Sequence, residues 1–203
     1  MNAQDPQFTQ FFNNPLYTNP AFTGSAILED ENFATRINLS YRNQWPNLRG
    51  NYQTLNLAWD KQVREIGGFG AMITNDVAGS GLLTSTSANF LYAKAMSLTN
   101  KISLRAGIQA SYVNKSLNFD QLFKNPINPV SGFVLLPNEP LPEQSVSFLN
   151  LGFGVITYIK NVHIGFAAHN ITEPNQSFYG NVDANLPRRF TIHAGGKFPV
   201  FQS

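Results

Sequence analysis

The stretch KISLRAGIQASYV, residues 101 to 113, alternates strictly between apolar and polar side chains. Ile102, Leu104, Ala106, Ile108, Ala110 and Tyr112 share one face, and Ser103, Arg105, Gly107, Gln109 and Ser111 the other. A period of two is the signature of a strand with chemically different faces. Similar alternation recurs in TRINLSYRNQW from Thr35, QTLNLAWD from Gln53, FGAMI from Phe69, TSTSANFLYAKAM from Thr84, and around Leu149, Val162 and Phe190. About eight strands and no amphipathic helix are expected, so the chain reads as all-β.

Alternation alone suits a sandwich, a soluble barrel or a membrane barrel. Strand length favours the last, because the runs extend to roughly 9 to 14 residues, near the length of a tilted membrane strand. The polar faces carry Arg, Asn, Gln, His, Ser and Gly, while the apolar faces end in Tyr, Trp or Phe, as at a membrane interface. Connections also alternate: VREIGG, SLTNK and IKN are short, whereas 117–145 and 172–186 are long. The expected fold is therefore an antiparallel transmembrane up-and-down β-barrel with short turns on the periplasmic rim of a bacterial outer membrane and long loops outside. Its portion is 35–203, preceded by an irregular N-terminal segment, 1–34, at the periplasmic mouth.

Composition excludes several alternatives. A net charge of +2 with scattered basic residues argues against nucleic acid as a partner. Cysteine is absent, which removes disulfides, thiolate metal sites and a thiol nucleophile. No apolar run reaches the roughly 18 to 20 residues of a membrane helix. No Lys or Arg precedes Arg36, so a signal peptide is absent or trimmed; Asn2-Ala3-Gln4 reads either as the end of an export signal or as a leaderless start.

Catalytic signals are weak. His163 and His169 share a strand face but stand six residues apart, roughly 20 Å, too far to share a metal, and His193 can approach one of them across strands. No serine occupies a nucleophile turn and no phosphate-binding loop occurs; GGFGA, residues 67 to 71, reads as glycine permitting close approach within a strand. A non-enzymatic protein without cofactor or metal is expected. Arg36, Arg42, Arg105 and Arg189 fall on polar faces and would give the interior a positive bias, either toward an acidic partner or plug or as charges paired with Asp60.

Two irregular stretches stand out as partner-contact or plug candidates. QDPQFTQFFNNPLYTNPAFTG, residues 4 to 24, is rich in aromatic rings, with Phe11, Phe12, Asn14, Pro15, Tyr17, Asn19, Pro20 and Phe22 as its candidates. Its two Asn-Pro steps block a continuous helix and force extended or turn geometry at each Asn. The loop 119–145 holds five prolines and an apolar patch, and contributes Asp120, Gln121, Phe133 and Leu135.

Taken together, QDPQFTQFFNNPLYTNPAFTG, YRNQWP at 41 to 46, GGFGAMITNDVAGSGLL at 67 to 83, FDQLF at 119 to 123, HNITEPNQSF at 169 to 178 and LPRRFTIHAGGKF at 186 to 198 resemble the PorP/SprF outer-membrane proteins of the type IX secretion system. The resemblance implies a barrel that acts in secretion of cell-surface proteins such as adhesins, in some members with gliding motility. Its implied partners are the lipid bilayer, type IX secretion components on the periplasmic side and a secreted cell-surface protein outside. Family members continue for several strands beyond KFPVFQS, so the eight strands are expected to form part of a larger barrel, a closed eight-strand barrel being the alternative. As a role outside that resemblance, a general diffusion porin is the competing reading.

Overall fold

The computed structural model of the chain describes residues 13–26, 35–47, 50–63, 65–79, 81–99, 101–118, 144–178 and 184–196. Eight strands form one sheet: β1 (Thr35–Gln44), β2 (Tyr52–Val63), β3 (Gly67–Ala78), β4 (Leu83–Thr99), β5 (Ile102–Leu117), β6 (Ser145–Ile159), β7 (Val162–His169) and β8 (Arg189–Gly196). Each pairs antiparallel with its neighbour in the chain, in the order β1 to β8. Among the described residues β1 and β8 are the two edges and are not paired with each other, so the strands form a half-barrel.

The strands follow the alternation of the sequence. In β1 the odd-numbered residues are exposed and the even-numbered ones half-buried throughout. The register aligns faces across the sheet: Arg36 opposes Asp60, Asp60 opposes Gly70, and Gly70 opposes Leu91, all inward. A slip of one residue would turn every arginine of the concave face outward, which is why two-faced strands hold their register.

The polarity is inverted relative to a water-soluble protein. Ile192 is 78% exposed, Ile37 and Leu149 71%, and Phe90 70%, whereas Asn56, Asp60, Asn89, Arg105 and Ser111 are buried. Outward apolar side chains run across all eight strands. A surface this continuous requires an apolar solvent. No helix among the described residues is long and apolar enough to cross a membrane.

Many inward polar groups bond to one another across strands, although Asn56 Oδ1 and Gln109 Oε1 are buried without a hydrogen-bond partner. Asn56 Nδ2 donates to Thr74 Oγ1 at 2.7 Å and Thr54 Oγ1 to Asp76 Oδ1 at 2.5 Å. Asn89 Nδ2 donates to the Met72 carbonyl at 3.1 Å, while Gln109 Nε2 donates to Asn89 Oδ1 at 3.0 Å. The C-terminal ends of β2, β4 and β6, each followed by a strand within four residues, lie at one rim, and those of β1, β3, β5 and β7 at the other. Two-residue links need unusual backbone geometry, and Lys160 accordingly takes a φ of +52°.

Candidate functional site

The concave face is occupied by the chain's own N-terminal head, residues 13–26. The head contains two single turns: a helix, α1 (Pro15–Thr18), and a 3-10 turn (Pro20–Phe22). Each begins at a proline, where the missing N–H is no loss and φ is already helical. Asn19 ends the first and starts the second. Its extended backbone, φ −155° and ψ 122°, satisfies the restriction imposed by Pro20, and its Oδ1 accepts the Ala21 N–H at 2.8 Å. The Asn-Pro steps therefore do block a continuous helix while each proline initiates a turn.

The head is gripped largely through its main chain. Asp60 Oδ2 accepts the Gly24 N–H at 2.6 Å, and Arg36 Nη2 donates to the Phe22 carbonyl at 3.1 Å. Arg105 Nη2 donates to the Thr23 carbonyl and, at 2.8 Å, to Gln62 Oε1. Asn14 Nδ2 donates to Ser40 Oγ at 2.8 Å, and Asn38 Nδ2 to the Asn13 carbonyl. On the far wall the fully buried Asn19 directs Nδ2 to the Phe166 carbonyl at 3.1 Å and lies 3.0 Å from His193 Nε2. Beneath the helix, Leu16 packs with Ala58, Met72 and Leu91.

Inward glycines make room for these contacts. A Cβ at Gly154 would lie 1.9 Å from Asn19 Oδ1, one at Gly107 2.5 Å from the Ala21 nitrogen, and one at Gly68 2.2 Å from the Thr23 carbonyl oxygen. Gly68, Gly107 and Gly154, with the small Ala93 of β4 between the first two, thus form a shallow trough across β3 to β6. This gives GGFGA its meaning, since close backbone approach is the physical use of glycine within a strand.

Arg36, Arg42, Arg105 and Arg189 all point inward, but they do different things. Arg36 pairs with Asp60 at 2.9 Å. Arg105 holds Thr23, and Arg189 donates to the Tyr17 hydroxyl at 2.9 Å with its guanidinium 4.8 Å from the ring centroid. Arg42 lines a cavity of about 520 Å³ between the head and the long-loop rim, together with Tyr17, Thr54, Asp76, Lys115 and Arg189.

The histidines separate into two places. His163 and His193 lie 5.8 Å apart between ring centroids, with Phe22 5.8 Å from the first and 5.0 Å from the second. His169 is elsewhere, with Nε2 3.3 Å from the Thr18 carbonyl. Among the described residues no three His, Asp or Glu side chains are grouped to hold a metal. Phe11, Phe12, Asp120, Gln121, Phe133 and Leu135 lie outside the described residues. Sequence reasoning did not single out Asn38, Ser40, Gln62, Gly107, Gly154 or Thr23 as contacts; the signal available was glycine recurring at inward strand positions.

Over residues 1–201 the sequence is matched by the family model described as type IX secretion system membrane protein PorP/SprF. The chain belongs to the PorP/SprF family. No curated protein and no solved structure matches it. As a PorP/SprF protein it is a membrane component of type IX secretion, and the apolar convex face is the surface that such a component presents to lipid.

Proposed function

We propose that this PorP/SprF protein is a non-enzymatic outer-membrane accessory that anchors, or helps to export, secreted cell-surface proteins such as adhesins, including those of gliding motility. In this reading the short turns face the periplasm and the secretion machinery, and the long loops face outward to the cargo. The observation that carries it is the head seated against the concave face. The head is fixed across the concave face by Asp60, which accepts the Gly24 N–H, by Arg36 and Arg105, which donate to its carbonyls, and by its own Asn19, which donates to the Phe166 carbonyl. A wall shaped to hold a segment of its own chain suits a holder better than a diffusion porin. The contacts of His163, His169 and His193 with the head supply a structural use for residues that would otherwise suggest chemistry.

The test is complementation of a null strain with the full-length protein or with a variant lacking 119–145, following where secreted proteins end up. Anchoring predicts that a specific surface protein escapes to the medium in the variant, and an export role that it stays in the periplasm. Unchanged surface display would contradict the assignment of that loop.

A further inference from the structure

We infer that the Asn19–His193 contact is a proton-operated latch that holds the head while His193 is neutral and lets it go when His193 is protonated.

The Asn19 amide has two chemically different ends. Its Oδ1 accepts the Ala21 N–H at 2.8 Å, which fixes which end of the amide is oxygen. The other end, Nδ2, therefore points into the wall, toward the Phe166 carbonyl at 3.1 Å, the Val155 carbonyl at 3.3 Å and His193 Nε2 at 3.0 Å. An amide nitrogen has no lone pair with which to accept, so the contact is favourable when His193 is neutral with its proton on Nδ1 and its Nε2 lone pair shares the two Nδ2 hydrogens with the two carbonyls.

A proton on Nε2 sets two donors against each other at 3.0 Å, in a place where Asn19 is fully buried and has no water to turn to. The Phe22 ring, 5.0 Å from His193, is the nearest aromatic neighbour, but no free carboxylate faces the new charge among the described residues. β7 contributes His163, 5.8 Å away, and β6 contributes Tyr158, 5.6 Å from His163. From β5, Arg105 reaches the adjoining Thr23 carbonyl, while the Asp60 carboxylate is engaged by Arg36 and by the Gly24 N–H. The head segment Asn19–Gly24 carries no charged side chain. The ring also cannot swing aside toward the wall, since its Nε2 sits 2.2 Å from where a Cβ on Gly165 would be. Protonation is accommodated by Asn19 leaving, and with it the turn that it caps. Imidazole is the side chain whose charge changes in the physiological range, so acidification of the periplasmic face is the natural trigger.

The protein has no cysteine, so Thr18→Cys introduces a unique site for a nitroxide spin label beside Asn19. In the detergent-purified full chain the mobile component should grow about tenfold relative to the immobile one between about pH 7.5 and 5.5, the equivalent of one lost hydrogen bond. His193→Gln keeps an acceptor that does not titrate and should stay immobile at both values, while His163→Gln should keep the transition. Equal mobility at both pH values in the labelled, otherwise wild-type protein would overturn the latch, and so would the same transition in His193→Gln.

Discussion

Asp60 on β2 and Gly24 in the head meet at 2.6 Å, a carboxylate accepting a main-chain N–H, while the same carboxylate receives Arg36 at 2.9 Å and 3.0 Å. One buried anion thus serves a wall cation and the head together. Removing it leaves Arg36 on the concave face without its counter-charge, and losing one member of such a pair is strongly destabilising. Asp60→Ala is expected to lower unfolding stability by about 3 kcal/mol, measured by urea titration in detergent. Asp60→Asn should lose less, because an amide oxygen can still accept from Gly24. Equal stability of Asp60→Ala and wild type would mean that the head is not fastened there.

The glycine trough makes a sharper prediction because it comes with a matched control. Gly154→Ala places a Cβ 1.9 Å from Asn19 Oδ1, whereas at Gly152 the nearest heavy atoms are 3.5 Å away, ordinary contact. Gly154→Ala should displace the head, with faster hydrogen exchange at the Ala21 and Thr23 amides, and Gly152→Ala should leave exchange unchanged. The same exchange rates in both variants would remove the trough as the seat of the head.

The strands were legible in the sequence because their two faces differ chemically and a period of two survives any change in sheet curvature. KISLRAGIQASYV reads directly as most of β5. Ends were less visible: TSTSANFLYAKAM marks only the interior of β4, which runs from Leu83 to Thr99, because hydrogen bonding continues along a strand after its apolar pattern stops. The separation of His163 from His169 followed from strand rise alone. What the head touches did not follow, since its contacts join residues as distant as Asn19 and His193 and run largely through backbone atoms, which carry no sequence signal. Glycine at 68, 107 and 154 announces that something comes close without saying what.

The outward face is predicted to obey membrane rules. Ile108 lies mid-strand on β5 and is 58% exposed. Ile108→Lys should cost about 2 to 4 kcal/mol of folding stability in liposomes, as a cation on the lipid face near the bilayer midplane does. On a water-soluble sheet the same change at an exposed site would be nearly neutral. A neutral result in liposomes would contradict burial of this face in lipid.

The central claim is that the head lies inside the half-barrel while the wall is in the membrane. Asn14 Nδ2 and Ser40 Oγ are 2.8 Å apart, and Leu39, next to Ser40, points outward and is 69% exposed. In a chain with no native cysteine, Asn14→Cys paired with Ser40→Cys should close a disulfide under mild oxidation in intact membranes, visible as a gel shift reversed by reductant. Asn14→Cys paired with Leu39→Cys should not. Cross-linking of the Ser40 pair alone is the predicted result; no cross-link in either pair, or equal cross-linking in both, would contradict the account.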